Sequence, residues 1–425
     1  MHMPCDLAIV GAGPAGLMTA RTAAGLGLKT VLLEKRTDVG RLTRACCEQL
    51  IMDRHFQGDT VRLEGGAVVS LENGFRVPYQ GPALDVVHKY FVSPAGSRIH
   101  FAHPDRSPIV IKIDKGALLG GLWDECARAG VDLRSGAHVH GARDTGAGVE
   151  LSVTRSGRQE RIAARRLIIA DGVNSRLAGR MGITSGRSCM ATALCVIYFL
   201  EGAESFQPDT LYTYFGRAYC GLAPITINAG RQPGQTSLVV IGNKANPPEK
   251  LFRAITTEGA LAPKLKRARI AGRLGCAARA CMPLRTPAQG NVLVIGDAAA
   301  YVEVEMQGAL ACGFQAARAV AAELAGRAGF EDYMRWWQRS FEFNGDDWMQ
   351  VAQGFALVPA YGDDELDYLF GLVEGEVLEG TYNQYRSPRL MWGAILRHSE
   401  RIRAELPALH EKIMNRTQVA LSDML

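Results

Sequence analysis

The feature that most constrains this chain of 425 residues is a glycine-rich turn between a predicted strand and a predicted helix near the N-terminus. Residues 6–10 predict a short apolar strand, and residues 17–24 have a helical pattern. The turn between them reads Gly11-Ala12-Gly13-Pro14-Ala15-Gly16. Gly11 permits the tight turn, Gly13 lets the backbone approach a pyrophosphate, and Gly16 lets the helix pack on the strand. This arrangement predicts a Rossmann-type βαβ unit that binds a dinucleotide.

One acidic residue narrows the choice of dinucleotide. Residues 30–33 predict the second strand of the unit, and Glu34 follows it at the expected spacing of about 20 residues from the glycines. A carboxylate in this position binds the ribose hydroxyls of the adenosine, and it would repel the 2′-phosphate of NADP. The unit therefore predicts FAD or NAD, and the glycine turn alone does not choose between them.

A second motif favours FAD. The apolar stretch of residues 290–296 ends in Asp297, and an alanine-rich buried helix is predicted from near Gly308. This pattern resembles the motif in which FAD-dependent aromatic hydroxylases and their relatives bind the ribityl chain of the flavin with the Asp. The resemblance implies that the helix N-terminus, at Gly308 and Ala309, lies beside the flavin, where its dipole would favour a reduced, anionic flavin.

A third motif lies between these two. Asp171-Gly172 resembles the Asp-Gly segment of the same superfamily. The arginine that usually follows in that superfamily would fall on Ala178, whereas this chain offers Arg176 and Arg180. Two interpretations of Asp171 and Gly172 stay open, a turn that shapes the fold and a direct contact with the ligand.

From residue 6 to about residue 325, the order of motifs is similar to that of the geranylgeranyl reductase family of flavoproteins. The resemblance is carried by two segments, Glu34-Lys35-Arg36 and Arg44-Ala45-Cys46-Cys47-Glu48-Gln49-Leu50. They resemble the family's Glu-Lys-Arg segment and its Cys-Gly-x-Gly turn, which approaches the flavin. Cys46 takes the position of the family's cysteine. Cys47 and Gln49 replace the two glycines, so the turn has less backbone freedom.

The chain departs from this family in two places. Where the family has a proline and a run of three glycines, this chain reads Glu303-Val304-Glu305-Met306-Gln307-Gly308-Ala309. The family's Tyr-x-Trp-x-Phe-Pro signature, which lines the tunnel for the prenyl chain, has no good match in residues 219–224. The resemblance implies family membership in the broad sense, and a prenyl substrate does not follow from it.

The leading hypothesis for the activity is an FAD-dependent reductase that transfers hydride to a carbon–carbon double bond of an apolar or lipid-like substrate. An acid must supply the matching proton, and the resemblance places the turn with Cys46, Cys47 and Glu48 near the flavin. These three are the candidate catalytic residues, and the alternative is two packed thiols and a surface carboxylate. Glu303 and Glu305 are further candidates for a general acid, with solvation of at least one of them as the alternative.

Two other functions stay open. In an aromatic-hydroxylase-type monooxygenase a His and a Pro-x-x-Gly-x-Gly loop are expected where this chain has Ala300 and Val304. An electron-transfer flavoprotein of this kind usually adds an iron–sulfur cluster or a partner, and the sequence has no cysteine run that could ligate a cluster. With a single glycine fingerprint, which FAD occupies, NAD(P)H is expected as a transient electron donor at most.

The predicted fold class is α/β, with a Rossmann-type FAD-binding domain, an inserted, mostly antiparallel β substrate domain and a helical C-terminal region. The FAD-binding domain is assigned to residues 1–60, 102–185 and 285–330, the substrate domain to 61–101 and 186–284, and the helical region to 331–425. No metal ligand is predicted. The predicted contacts of FAD are Gly11, Gly13, Ala15, Gly16, Glu34, Lys35, Arg36, Arg44, Val139, Asp171, Gly172, Asp297, Gly308 and Ala309.

Composition and charge exclude several classes of protein. A net charge of +5 from 48 basic and 43 acidic residues is too small and too scattered for a nucleic-acid-binding surface. The ten cysteines have neither metal-site spacing nor the density of a small secreted scaffold, which favours a reducing, cytoplasmic location. The longest apolar run, residues 189–200, predicts a buried strand, because crossing a bilayer takes about 20 residues.

The basic segment from Arg386 to Arg416 has two interpretations. It could rest on an anionic membrane surface, which would suit a lipid-like substrate. The favoured interpretation is a helix that packs by one face on its own domain, because Glu400, Glu405 and Glu411 interrupt the positive charge. The sequence leaves the oligomeric state open.

Overall fold

The computed structural model describes residues 5–346, 348 and 357–415. Within them, two eight-stranded sheets and two three-stranded sheets are joined by helices. The strands, in chain order, are β1 (Cys5–Val10), β2 (Thr30–Glu34), β3 (Gln49–Ile51), β4 (Val61–Glu64), β5 (Ala67–Ser70), β6 (Arg76–Pro78), β7 (Ala83–Val86), β8 (His88–Val92), β9 (Arg98–Ala102), β10 (Val110–Ile113), β11 (Asp132–Ser135), β12 (Ala137–Asp144), β13 (Val149–Arg155), β14 (Arg158–Ile169), β15 (Cys189–Glu201), β16 (Thr210–Tyr214), β17 (Ile225–Ala229), β18 (Gln235–Gly242), β19 (Arg269–Cys281), β20 (Ala288–Gln289), β21 (Val292–Val294) and β22 (Val377–Glu379). The helices are α1 (Pro14–Gly25), α2 (Lys115–Arg128), α3 (Arg176–Arg180), α4 (Pro248–Thr257), α5 (Ala262–Leu265), α6 (Glu305–Leu324), α7 (Gly329–Ser340), α8 (Leu357–Ala360), α9 (Asp363–Gly371), α10 (Arg386–Leu396), α11 (Ser399–Glu405) and α12 (Pro407–Met414), with short 3₁₀ turns at Gly296–Ala298 and Glu342–Asn344.

The first large sheet has the strand order β11-β2-β1-β14-β13-β12, and β21 pairs with β14. β1 pairs in parallel with β2 and β14, and β14 pairs in parallel with β21. The register aligns Val10 with Leu33 and with Ile169. It aligns Ile169 in turn with Val294. The carboxyl ends of these strands therefore lie side by side, which is where open α/β sheets bind their ligands. The predicted Rossmann-type unit is confirmed.

The helices of this domain pack closely because small residues lie at their contact. A Cβ atom on Gly313 of α6 would lie 2.3 Å from the carbonyl oxygen of Ala15 and 2.8 Å from the Cβ of Met18, both in α1. The predicted alanine-rich helix is α6, and it begins at Glu305, one turn before the predicted position at Gly308. Asp114 caps the N-terminus of α2, since its carboxylate accepts a hydrogen bond from the Ala117 amide at 2.9 Å.

The second large sheet has the order β19-β15-β18-β17-β16-β8-β9-β22. Most neighbouring strands in this sheet are antiparallel, whereas the pairs β8–β16 and β9–β22 are parallel. On one face, Tyr198 and Leu238 pack with Ile255 of α4. On the other face, Ile197 and Phe199 form a separate apolar cluster. The prediction of an inserted, mostly antiparallel sheet is confirmed, and the predicted buried strand at residues 189–200 is β15.

The segment 61–101 contributes strands to three different sheets, and β7 lies in the small sheet β3-β10-β7. β4, β5 and β6 form a small sheet, and Val68 and Val77 from it are buried in the same cluster as Leu7 of β1. β8 and β9 instead belong to the second large sheet. Part of the predicted substrate domain therefore packs on the nucleotide-binding core.

The C-terminal region is mainly helical, as predicted, but it also supplies a strand. β22 lies parallel to β9 at the edge of the second sheet, with Val377 beside His100. The side chain of Lys89 connects β8 to the C-terminal region. Its buried Nζ donates hydrogen bonds to the Thr381 carbonyl at 3.1 Å and to the Ser387 hydroxyl at 2.6 Å.

The basic segment packs on its own domain along one face. Trp392, Ile395 and Ile402 are buried in a cluster that includes Phe101 of β9. Several of its cations are paired with carboxylates: Arg386 with Glu379, Arg397 with Glu376, Arg401 with Glu405, Arg403 with Glu400 and Lys412 with Glu365. Arg416, at the end of the predicted segment, lies outside the described residues. In the part of the chain that the structure describes, no helix is both long enough and apolar enough to cross a membrane.

A disulfide bond joins Cys189 of β15 to Cys281 of β19. The two residues are 92 positions apart in sequence and become neighbours because β15 and β19 pair side by side. The cysteine spacing, from which we expected a reducing location, gives no sign of this bond.

The contact between α1 and α6 yields a test of the fold. Gly313→Ala places a methyl group against the backbone of α1, so we expect the free energy of unfolding to fall by about 1–3 kcal/mol. The matched control is Gly120→Ala in α2, where a Cβ atom meets nothing within 4 Å. This control should leave the free energy unchanged or raise it by up to ~1 kcal/mol, because alanine favours the helix. Urea denaturation measures both, and equal stabilities would contradict the described packing.

Candidate active site

A cavity of about 680 Å³ lies at the carboxyl ends of the parallel strands. Its wall includes residues that follow β1, β2, β14 and β21, which is the consequence of their shared register. The predicted residues that line it are Gly11, Gly13, Ala15, Glu34, Lys35, Arg36, Arg44, Cys46, Val139, Asp171, Gly172, Asp297 and Ala309. Gly16, Gly308, Cys47 and Glu48 are not part of its wall.

The glycines of the first turn are required for different physical reasons. Gly11 has φ +105°, and a Cβ atom on it would lie 2.4 Å from the Ala170 carbonyl oxygen. A Cβ atom on Gly16 would lie 1.8 Å from the Gly11 carbonyl oxygen, so Gly16 serves the packing of α1 and not the cavity. A Cβ atom on Gly13 would meet nothing within 4 Å, because this position opens into the cavity. The free space above Gly13 fits a closely approaching phosphate group.

Glu34 is buried at the end of β2 and holds the turn in place. One carboxylate oxygen accepts a hydrogen bond from the Ala12 amide at 2.7 Å. The other accepts from the amide and Nε of Arg36, at 2.8 and 3.0 Å. Burial acts to raise the pKa of Glu34, but the hydrogen bonds and charge of Arg36 outweigh it and hold the pKa below its usual value. Glu34 is therefore a carboxylate that faces the cavity.

Two further carboxyl groups face the cavity from the ends of β14 and β21. Asp171 has a buried Oδ1 with no hydrogen-bond partner in the protein, and burial raises its pKa. Asp297 uses Oδ1 to accept from the Val304 amide at 2.9 Å, and burial also raises its pKa. Buried polar atoms without partners are costly, so the unpaired oxygen of Asp171 is suited to a hydroxyl group of a ligand in the cavity. These features fit the ribose and ribityl groups of FAD.

The loop before α6 carries two acids, Glu303 and Glu305. Glu303 is reached by solvent through the cavity, while Glu305 begins α6 with φ +57°. Burial raises the pKa of Glu303 to about 7, the charges of Asp297 and Cys276 add to this effect, and Lys115 opposes it. Gly308 packs against Gln57 and Phe341 instead of the cavity. This loop therefore presents an acid to the cavity.

The turn around Cys46 separates the three predicted catalytic residues. Cys46 lines the cavity, and the Nζ of Lys115 donates a hydrogen bond to its Sγ at 3.4 Å. Cys47 points to the apolar cluster of Ile197 and Phe199, and burial strongly raises its pKa. The structure thus places one of the two adjacent thiols at the cavity and the other, partly buried, against the apolar cluster.

Glu48 connects this turn to the second sheet. It has φ +53° and is buried, and its carboxylate pairs with Arg231 at 2.6 and 3.1 Å. It also accepts a hydrogen bond from the Lys115 amide at 3.3 Å. Glu48, between Cys47 and Gln49, thus adopts the left-handed conformation, and charge-assisted hydrogen bonds hold it in place.

Lys115 and Cys276 are among the cavity residues that the sequence did not reveal. Lys115 lies directly after the N-cap of α2, and a cation at a helix N-terminus opposes the helix dipole, which is a signal that could have been noticed. Cys276 comes to the cavity from β19, next to Arg44. Its position depends on the pairing of β15 with β19, so no local pattern could have revealed it.

Solved structures share this fold. The geranylgeranyl bacteriochlorophyll reductase-like protein of Thermoplasma acidophilum has a TM-score of 0.71 at 19% identity, over 95% of this chain and 99% of that chain. The p-nitrophenol 4-monooxygenase PnpA of Pseudomonas putida has a TM-score of 0.65 at 12% identity, over 94% of this chain and 98% of that chain. At these identities the likeness concerns the fold alone.

Curated relatives extend the comparison to sequence. Digeranylgeranylglycerophospholipid reductase 1 of Methanococcoides burtonii is 25% identical over 356 residues, which cover 79% of this chain and 80% of that protein. Digeranylgeranylglycerophospholipid reductase of Methanothrix thermoacetophila is 25% identical over 403 residues, or 88% of this chain and 92% of that protein. The resemblance to the geranylgeranyl reductases is confirmed.

The model of the family described as "FAD binding domain" matches residues 4–329. This range contains the glycine turn, the acid after β2 and both later Asp motifs. The space above Gly13 and the unpaired oxygen of Asp171 fit the same cofactor. The chain therefore belongs to the FAD-binding domain family and is an FAD-dependent oxidoreductase.

Proposed function

We propose that the chain is a reductase that adds hydrogen across a carbon–carbon double bond of an apolar, lipid-like substrate. The similarity to digeranylgeranylglycerophospholipid reductases over most of both lengths supports this class of reaction. When bound and reduced, FAD supplies a hydride equivalent. The protein must then supply the proton for the second carbon.

The observation that carries the proposal is the thiol of Cys46 in the cavity, paired with the ammonium group of Lys115. Burial acts to lower the pKa of Lys115, but the nearby Cys46 and Asp297 outweigh it and raise the pKa above its usual value. Lys115 therefore keeps its proton. Cys46 is the proton donor in this proposal, and Lys115 with Glu303 restores its proton.

The surroundings of the Cys46 turn favour an apolar substrate. Ala45 and Cys47, on either side of Cys46, pack against the cluster of Ile197 and Phe199 on the second sheet. On this side of the turn, a hydrocarbon chain would meet Ile197 and Phe199, with the Arg231 guanidinium 5.5 Å from the centroid of the Phe199 ring, while Lys115 and Glu303 line the FAD cavity.

The cavity residues receive roles in FAD binding under this proposal. Glu34 takes the adenosine ribose, Gly13 faces the pyrophosphate, and Asp297 takes the ribityl chain. Asp171 offers its unpaired oxygen to a cofactor hydroxyl. Gly16 and Gly308 act indirectly, because each allows a close backbone contact outside the cavity wall.

The first test of the function is anaerobic. Holoenzyme reduced with dithionite is mixed with a digeranylgeranylglyceryl phospholipid in detergent, and flavin absorbance and product mass are followed. We expect reoxidation of the flavin and a product that has gained two hydrogen atoms per reduced double bond. Reoxidation that requires oxygen and a phenolic substrate would instead identify a monooxygenase, and no reoxidation by any small molecule would favour an electron-transfer protein.

The two adjacent cysteines provide a matched pair of variants for the same assay. Cys46→Ala should lower the rate of double-bond reduction by about 10²–10⁴-fold, the usual contribution of a positioned acid, with FAD still bound. Cys47→Ala should retain the rate, because this thiol lies in the packed cluster away from the cavity. Equal rates for both variants would exclude Cys46 as the donor.

FAD binding is tested at the open glycine. Gly13→Ala introduces a methyl group into cavity space without a clash in the protein. We expect FAD affinity to fall by about 1–3 kcal/mol, or roughly 5- to 150-fold, with the thermal midpoint of the apoprotein unchanged. Gly25→Ala, in α1 with open space around its Cβ position, is the control. If Gly13→Ala bound FAD as tightly as the wild-type protein does, the cofactor would have to lie away from Gly13.

The acid in the cavity predicts a pH dependence. Because the pKa of Glu303 is about 7, this group is protonated below that pH and loses its proton as the pH rises through it. The steady-state rate of double-bond reduction should therefore fall above about pH 7, by about 10-fold per unit, because protonated Glu303 helps to restore the proton of Cys46 between turnovers. Glu303→Gln should abolish this fall in rate with pH. Glu305→Gln should keep it, because Glu305 lies outside the cavity wall. Persistence of the fall in Glu303→Gln would assign it to another group.

A further inference from the structure

β15 and β19 carry two cysteine pairs on one antiparallel ladder. Cys189 lies opposite Cys281, and this pair forms the disulfide bond. Cys195 lies directly opposite Cys276, and both of these are free thiols. The proposed reduction of a double bond uses neither member of the second pair.

The second pair lies at the FAD cavity. Cys276 is part of the cavity wall, while Cys195 packs beside Ile197 in the apolar cluster that also contacts Cys47. The Ala45 amide donates a hydrogen bond to the Gly275 carbonyl at 3.4 Å, which fixes the Cys46 turn next to Cys276. Cys276 therefore lies in the wall of the FAD cavity, and Cys195, opposite it on β15, lies outside that wall.

The surroundings of the two thiols shift their pKa values in opposite directions. A hydrogen bond from Cys195 lowers the pKa of Cys276 to about 7, against the effect of burial, and the Arg44 guanidinium adds to the lowering. The same hydrogen bond and burial raise the pKa of Cys195. A thiolate with a protonated partner is the arrangement of redox-active cysteine pairs, because the thiolate is the nucleophile.

The backbone allows a bond between them. Residues directly opposite each other on antiparallel strands have Cα atoms about 4.5–5.5 Å apart. A disulfide needs about 4.4–6.8 Å, so Cys195 and Cys276 can be bridged without a change of register.

We propose that Cys195 and Cys276 form a dithiol–disulfide couple that exchanges two electrons with FAD. In the oxidising direction, the Cys195 S–H bond is lost and an S–S bond forms between its Sγ and that of the Cys276 thiolate; two electrons and the Cys195 proton would pass to oxidised FAD. In the reverse direction, the S–S bond would break on taking up two electrons and one proton from reduced FAD, which restores the Cys195 thiol and the Cys276 thiolate. The inference rests on FAD binding and does not require the double-bond substrate.

The disulfide of Cys189 and Cys281 is a separate element. Cys189 and Cys195 are separated by about 20 Å of strand, far beyond the contact that thiol–disulfide exchange requires. The couple at Cys195 and Cys276 therefore exchanges electrons with FAD and not with the outer disulfide. The couple offers FAD an electron store in a chain that has one glycine fingerprint and no second dinucleotide domain in its sequence.

An anaerobic reductive titration tests the proposal. Air-oxidised holoenzyme is titrated with dithionite, and the electrons consumed until the flavin is fully reduced are counted per FAD. Wild-type enzyme should take up about two electrons per FAD more than Cys195→Ser, since a dithiol–disulfide couple is a two-electron carrier. Cys195 lies outside the cavity wall, so this variant keeps the residues that line the FAD cavity. Cys220→Ser, in the apolar cluster on the opposite face of the sheet, is the matched control and should behave as wild type.

A second readout needs neither a variant nor catalysis. Free thiols of the air-oxidised and the dithionite-reduced wild-type holoenzyme are blocked with N-ethylmaleimide, and the peptides are mapped by mass spectrometry. We expect a Cys195–Cys276 linked peptide in the oxidised sample and two blocked thiols after reduction. Equal electron uptake in wild type and Cys195→Ser, together with free thiols at both positions while FAD is oxidised, would overturn the proposal. Because no alkene is present, that result would leave the proposed reductase function untouched.

Discussion

The parallel register of β1, β2, β14 and β21 is the constraint on which the rest of the structure depends. Val10, Leu33, Ile169 and Val294 end at the same level, so the residues after them meet along one edge. A shift of one residue in any of these strands would turn its side chains to the opposite face of the sheet. Tight helix contacts at Gly16 and Gly313 fix α1 and α6 against this arrangement. The cavity is the space that these strand ends leave open.

The electrostatics of the cavity follow from this convergence. Asp171, Asp297 and Glu303 bring carboxyl groups to one recessed cavity, where the loss of surrounding water favours the neutral form and raises their pKa values. Lys115 and Arg44 partly compensate these groups. A site with unpaired carboxyl oxygens, cations and open space above a glycine is suited to a polar cofactor with many hydroxyl and phosphate groups. The apolar cluster of the second sheet lies on the other side of the Cys46 turn.

The position of the turn around Cys46 depends on contacts with the second large sheet. Glu48 takes the left-handed conformation that glycines would adopt easily, at a cost of about 1–2 kcal/mol. Its ion pair with Arg231 and its contact with the Lys115 amide offset this cost. The same turn bonds to β19 through Ala45 and Gly275. The second sheet thereby holds Cys46 in the cavity and places Cys276 beside it.

The sequence by itself determined the local elements: the strand–glycine–helix unit, the acids Glu34 and Asp297 at strand ends, and the FAD class of cofactor. Each depends on residues close together in the chain, where spacing dictates backbone geometry. It did not separate Cys46 from Cys47 or show that Glu48 pairs with Arg231. It also missed Lys115, the Cys189–Cys281 bond and the approach of Cys276, because these contacts join segments that are far apart in sequence. The tertiary structure decided them, since strand pairing determines which distant side chains share a cavity.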